Sequence, residues 1–168
     1  MDGKLNEIID MMDEKGLDIV CLNETKKKGR GLCEKNGVNV IWSGVPEEEH
    51  AKQGVAAILS KRMSECMKDF ECVSPRLIWI RFKIGITRIF LIIGYGPCDN
   101  VCDAEKDEFW ENVRNVADKR NDNERLLLIG DLNGWVGTRR RGYERVLGAS
   151  GDIRVNDNVL DMFKYVLG

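Results

Sequence analysis

Hydrophobic positions along the chain follow two periods, and their alternation sketches a layered fold. Leu5, Ile8, Ile9 and Met12 recur at helical spacing, with Gly16 placed to stop a helix, so the chain is predicted to open with an amphipathic helix lying on a sheet. Asp18 to Leu22 reads as a short buried strand, Val38 to Trp42 as a second, and the small apolar run Gly54 to Leu59 as a third. From Arg76 to Ile84 the pattern alternates, so that Ile78, Ile80, Phe82 and Ile84 share one face. Gly85 marks a turn and Thr87 to Tyr95 returns as a nearly continuous apolar strand, which predicts a hairpin. A helix from about Ala104 to Lys119 would put Phe109, Val113, Val116 and Ala117 on its core side. Arg125 to Gly130 is too short for a buried helix and reads as a buried central strand. A Gly- and Arg-rich loop and a last helix from about Val155 to Leu167 complete the order. Hairpins mixed with strand-helix units predict an α/β domain with a mixed sheet or two stacked sheets.

Composition narrows this picture. At 168 residues and 43% hydrophobic, the chain suits one domain over 1–168. No run has the apolar length to cross a bilayer, and Met1-Asp2-Gly3-Lys4 lacks the apolar core of a signal peptide. The expectation is a soluble intracellular protein, nuclear or cytoplasmic, neither secreted nor membrane-bound. Six cysteines are scattered without a repeated Cys-x-x-Cys pair or a neighbouring histidine, which reads as reduced, mostly buried thiols rather than a disulfide frame or zinc site. The net charge of −2 carries no global signal for nucleic acid. Locally, Lys26-Lys27-Lys28-Gly29-Arg30 and Arg139-Arg140-Arg141 are cationic clusters. Either run alone reads as solvated surface; two of them, each following a polar strand tip, point to a polyanion site.

Candidate chemistry sits at strand ends. The run Leu126 to Ile129, closed by Gly130, delivers Asp131 and Asn133 to a glycine-flanked loop, a pairing suited to positioning a water and a phosphate oxygen. By itself Asn133-Gly134 equally reads as a turn. Glu24 stands at the tip of the first strand and Tyr95 at the end of the hairpin. From the residues alone Glu24 could be a capping or salt-bridged acid, and Tyr95 a core aromatic.

Asn23-Glu24-Thr25, Tyr95-Gly96-Pro97 and Gly130-Asp131-Leu132-Asn133, in this order and spacing, resemble the endonuclease/exonuclease/phosphatase superfamily, over most of the chain. The words around them, Gly54 to Arg62 and Gly130 to Gly137 among them, are similar to the branch of non-LTR retrotransposon endonucleases and craniofacial development protein 2 relatives. The resemblance implies an α/β fold, an incomplete four-layer α/β sandwich with two stacked mixed sheets flanked by helices. It implies that Glu24 ligates a divalent metal, Mg²⁺ or Mn²⁺, that Tyr95 contacts the scissile phosphate, and that Asp131 with Asn133 positions the attacking water. The implied partner is nucleic acid, DNA before RNA, met through phosphates by Lys26, Lys27, Lys28, Arg30, Arg139, Arg140 and Arg141.

The chain also departs from the family. No first-strand asparagine precedes the opening helix, no Ser-Asp-His follows, and the one histidine, His50, matches no family motif. The expectation is a truncated or degenerate endonuclease-like domain descended from a Mg²⁺-dependent phosphodiesterase, with a weakly bound metal and impaired catalysis. The alternatives are a non-catalytic relic that binds nucleic acid or protein, and a phosphatase of the same superfamily.

Overall fold

The computed structural model describes residues 2–135, 137, 138 and 153–156. The chain divides into two compact units, Met1–Tyr95 with Val116–Gly130, and Gly96–Asn115 with Asp131–Gly168.

The first unit opens with α1 (Leu5–Lys15), which ends at Gly16 in the left-handed conformation, as its spacing predicts. One sheet holds β1 (Ile19–Asn23), β2 (Arg30–Lys35), β3 (Val38–Ser43) and β4 (Val55–Leu59), in the spatial order β1-β4-β3-β2. A short helix, α2 (Lys61–Cys66), leads into the second sheet, β5 (Met67–Ser74), β6 (Leu77–Ile84), β7 (Thr87–Tyr95) and β8 (Arg125–Asp131), ordered as in the chain. Every pairing with a defined register is antiparallel. The sheets pack face to face: Ile41, Val55, Ala57 and Leu59 meet Ile78, Ile80, Phe82, Leu91, Ile93 and Tyr95. On the other side of the first sheet, Leu5, Ile9 and Met12 of α1 cover Val38, Val40 and Ile58. With both faces covered, all five residues of β4 are buried. Its sequence, Val-Ala-Ala-Ile-Leu, is apolar without alternation for that reason.

Two strands that read as buried are not. Every residue of β1 is half-exposed, and in β8 Leu127 and Ile129 are 47% and 38% exposed. Among the described residues both strands lie at sheet edges rather than at centres. An apolar run shows that a strand can be buried; its neighbours decide whether it is. Between these edges an apolar recess of about 180 Å³ is lined by residues that include Ile19, Cys21, Phe82, Leu91 and Ile129. Burial there pushes the Cys21 thiol up to about 12. Cys66 and Cys72 are half-buried too, but Cys33, Cys98 and Cys102 are exposed, so the expected burial holds for only part of the set.

Three elements escaped the hydrophobic pattern. β2 is a mostly exposed hairpin arm with no apolar face, joined to β3 by Asn36-Gly37, both at positive φ. That dipeptide is a strong signal for a two-residue hairpin. β5 carries two register shifts that break its alternation. α2 spans six residues, capped by Ser60, whose hydroxyl accepts the Met63 N–H. α3 (Asp103–Ala117) buries Phe109, Val113 and Val116 as expected, together with Trp110, while Ala117 is only half-buried. The helix expected from about Val155 falls outside the described residues except for Val155, which sits in an isolated bridge, and Asn156.

The outer face of the second sheet is tied by charge. Trp79 stacks on Phe90 with ring centroids 5.1 Å apart, and the Arg81 guanidinium lies over both rings. Arg81 Nε donates to Glu124 Oε1 at 2.6 Å, while the Asn121 backbone N–H donates to Glu124 Oε2 at 2.8 Å. Burial pushes the Glu124 carboxyl up, but its hydrogen bonds and the Arg81 charge outweigh burial and hold it below the ordinary 4.5. A depressed carboxyl contributes stability that is complete above the unfolded-state value and fades as the pH falls through the folded one. Urea melts of the wild type should therefore lose stability more steeply below about pH 4.5 than those of Glu124→Gln. Parallel acid limbs would show that this carboxylate is not the titrating group. In the inter-sheet core, Ile80→Ala should cost about 2–5 kcal/mol. The same urea melts should find Ile86→Ala, at a fully exposed turn position, within about 0.5 kcal/mol of wild type.

Candidate active site

In the first unit the site is built on Thr25. Its backbone N–H donates to the Gly54 carbonyl at 3.1 Å, and its side chain lies 7% exposed against Gly54. A Cβ at position 54 would overlap Thr25 Oγ1, so only glycine lets the strand tip close this tightly. Flanking the buried threonine, Glu24 (φ 53°) and Lys26 (φ 52°) take the left-handed conformation and are exposed. Non-glycine residues rarely adopt it, and such strain gathers at functional sites.

Tyr95 is a core aromatic whose hydroxyl also reaches a motif residue. Its ring is 7% exposed within the inter-sheet core, and its hydroxyl donates to Glu24 Oε1 at 3.0 Å. The sequence missed Arg76, whose guanidinium lies 5.1 Å from the Tyr95 ring centroid. Nothing in the alternation of β6 marks this residue, because it stands just before the strand begins.

The basic run after Glu24 is sewn into the fold. Lys27 Nζ sits 4.5 Å from the Trp42 ring centroid, Lys28 Nζ donates to the Glu47 carbonyl at 2.6 Å, and Arg30 Nη1 donates to the Cys72 carbonyl at 2.9 Å. Lys26 is exposed. Arg139, Arg140 and Arg141 lie outside the described residues. His50 is exposed in the polar loop before β4.

In the second unit Asp131 and Asn133 come together around Gly96. The Asn133 N–H donates to Asp131 Oδ1 at 2.9 Å, which orients the carboxylate, and Asn133 Nδ2 donates to the Gly96 carbonyl at 2.8 Å. The Gly96 N–H in turn donates to the Asp131 carbonyl at 2.8 Å. A Cβ on Gly96 would meet the Leu132 backbone. Asn133 too is left-handed, at φ 50°. Asn156 clamps the far side of the loop: its Nδ2 donates to the Asn133 carbonyl at 2.8 Å and its Oδ1 accepts the Trp135 N–H at 2.9 Å. It lies 23 residues from Asn133, and no sequence signal links them.

The donor set can be tested for a metal. Mg²⁺ and its like take hard oxygen ligands, often one or two carboxylates with waters completing the shell. An exposed glutamate at a strand tip, steadied by a phenol, fits that role. Among the described residues no group of three or more His, Cys, Asp or Glu could hold a metal ion.

Residues 1–149 match the model of the Endonuclease/Exonuclease/phosphatase family. The chain belongs to this family. Craniofacial development protein 2 of Tragulus javanicus is 25% identical over 137 residues, which are 82% of this chain and 24% of that protein; its Bos taurus counterpart matches equally over 23%. The chain thus spans about a quarter of the curated relatives it matches. AP endonuclease LMAP from Leishmania major superposes with a TM-score of 0.61 at 11% identity, over 94% of this chain and 59% of that one. The 3′ phosphatase NExo from Neisseria, bound to product DNA hairpin, superposes with a TM-score of 0.54 at 18% identity, over 77% of this chain and 52% of that one. These solved structures share the α/β fold of two stacked sheets with flanking helices, the arrangement expected from the motifs.

The Gly96 packing yields a direct test. Gly96→Ala should push the Leu132 backbone away and loosen the loop that carries Asp131 and Asn133. Amide exchange at Asn133 should speed up while exchange at Ile80 stays at its wild-type rate. Unchanged exchange at Asn133 would show that the loop absorbs the methyl group.

Proposed function

We propose that this stretch carries the metal-anchoring and water-positioning parts of a phosphodiesterase site for nucleic acid, DNA before RNA. The observation that carries the proposal is the Tyr95 hydroxyl on Glu24, two residues 71 apart in sequence. A carboxylate steadied by a phenol at a strand tip suits a hard divalent cation. When bound, Mg²⁺ or Mn²⁺ would supply positive charge opposite that growing on the phosphate and leaving oxygen.

The chain's own groups have separate tasks. Glu24 would hold the cation, and Tyr95 keeps that carboxylate in place with a hydroxyl able to donate to a phosphate oxygen. Asp131 accepts hydrogen bonds from the attacking water, its orientation set by the Asn133 N–H. Asn133 locks the loop to Gly96 through its amide nitrogen. Lys26, with Arg139, Arg140 and Arg141, meets the phosphate backbone; such contacts are independent of sequence and weaken with salt.

By itself this stretch should cleave weakly. Its single histidine is exposed in the loop before β4 and belongs to none of these motifs, and among the described residues no group of three or more His, Cys, Asp or Glu gathers to hold a metal. Preorganised charge stabilisation is usually the largest part of catalysis. The same shortage of donors favours, as a second reading, a module that binds nucleic acid without cutting it.

Two measurements on the 168-residue chain test this. Manganese titration should reveal one weak site that Glu24→Gln removes. Plasmid nicking should stay near background, and any nicking above it should vanish in Asp131→Asn. Equal manganese binding by wild type and Glu24→Gln would remove Glu24 from the site. Nicking that survives Asp131→Asn would remove Asp131. Binding of DNA without any manganese site would favour the second reading.

A further inference from the structure

We propose that Arg76 is a positioning residue that acts on Glu24 through Tyr95. The two residues are joined at three places. The Tyr95 N–H donates to the Arg76 carbonyl at 2.8 Å, Arg76 Nη1 donates back to the Tyr95 carbonyl at 3.3 Å, and the guanidinium lies over the Tyr95 ring with its carbon 5.1 Å from the centroid. Backbone and ring of the tyrosine are thereby held by one side chain, at the end of β7 where strand pairing with β6 runs out. The hydroxyl at the far end of the ring reaches Glu24 Oε1 at 3.0 Å. Glu24 is exposed and has three side-chain torsions to settle, and among the described residues the phenol orders its carboxylate. The ring transmits the constraint: tilt it, and the hydroxyl leaves the carboxylate.

Arginine suits this position for reasons that lysine does not share. Its planar fork can stack on a ring and donate in the ring's own neighbourhood, whereas an ammonium is a point charge on a flexible stem. Arg76 also brings a positive charge near a carboxylate proposed to hold a cation, which by itself would weaken cation binding. Ordering and repulsion therefore act in opposite directions, and the test must separate them. The inference rests on the assignment of Glu24 as a cation-binding carboxylate.

The experiment is a double-mutant cycle on the whole 168-residue chain, with MnCl₂ as the probe and the resonance of unbound Mn²⁺ as the readout. Arg76→Lys keeps the charge and loses the stacked fork. Tyr95→Phe keeps the ring and loses the hydroxyl. Arg76→Lys should weaken Mn²⁺ binding about three- to tenfold when Tyr95 is present, and by less than about twofold in the Tyr95→Phe background. A role confined to holding the strand end would weaken both backgrounds alike, and that result overturns the proposal. So does unchanged affinity in both. If the wild type shows no Mn²⁺ site that Glu24→Gln removes, the assignment of Glu24 fails, and this inference with it. A wild-type site that needs Glu24 but ignores Arg76 sinks only this inference. Should Arg76→Lys fail to fold, Arg76→Gln, which keeps a planar donor, takes its place in the cycle, with the same dependence on the Tyr95 hydroxyl expected.

Discussion

The apolar contact between the two sheets of the first unit is the constraint on which the rest of that unit depends. Ile41, Val55, Ala57 and Leu59 on one side meet Ile78, Ile80, Phe82, Leu91 and Ile93 on the other. Each large side chain buried there is worth roughly 1.5–3 kcal/mol. The tyrosine that closes β7 belongs to the same core. Glu24 follows β1 of one sheet and Tyr95 ends β7 of the other, so the hydroxyl reaches the carboxylate only while the sheets stay packed. Stability and the candidate chemistry share one set of contacts.

Backbone strain is placed where the candidate chemistry is. Among the described residues four that are not glycine hold positive φ: Glu24, Lys26, Asn36 and Asn133. Asn36 serves a hairpin turn, but the other three sit on the two motif loops. Each loop is over-determined by its neighbours, Thr25 against Gly54 in one unit and Asn133 against Gly96 in the other. That is how unfavourable conformations persist. Gly54 and Gly96 leave room for the Thr25 side chain and the Leu132 backbone.

Charge near the site does two jobs. In the loop from Lys26 to Arg30, lysine and arginine groups satisfy the Glu47 and Cys72 carbonyls and cover the Trp42 ring. They hold the strand tip as much as they offer positive potential. A run of like charges in sequence is therefore a poor measure of the charge presented to a polyanion.

Much of the fold was legible in the sequence, because burial imposes a period. Leu5, Ile9 and Met12 marked α1, and Ile78, Ile80 and Phe82 marked the inner face of β6, since one-sided burial leaves a 3.6- or two-residue repeat. β2 and β5 left no such repeat: one is mostly exposed, the other irregular. The motif words marked Glu24, Tyr95, Asp131 and Asn133 as the residues to watch, although Tyr95 is also part of the core. Tertiary structure alone decided that β1 and β8 lie at sheet edges, that Lys28 and Arg30 donate to the Glu47 and Cys72 carbonyls, and that Arg76 lies over Tyr95. These are contacts between residues distant in the chain. A residue's own sequence window records what it can bury, whereas the partner it finds depends on how the sheets close.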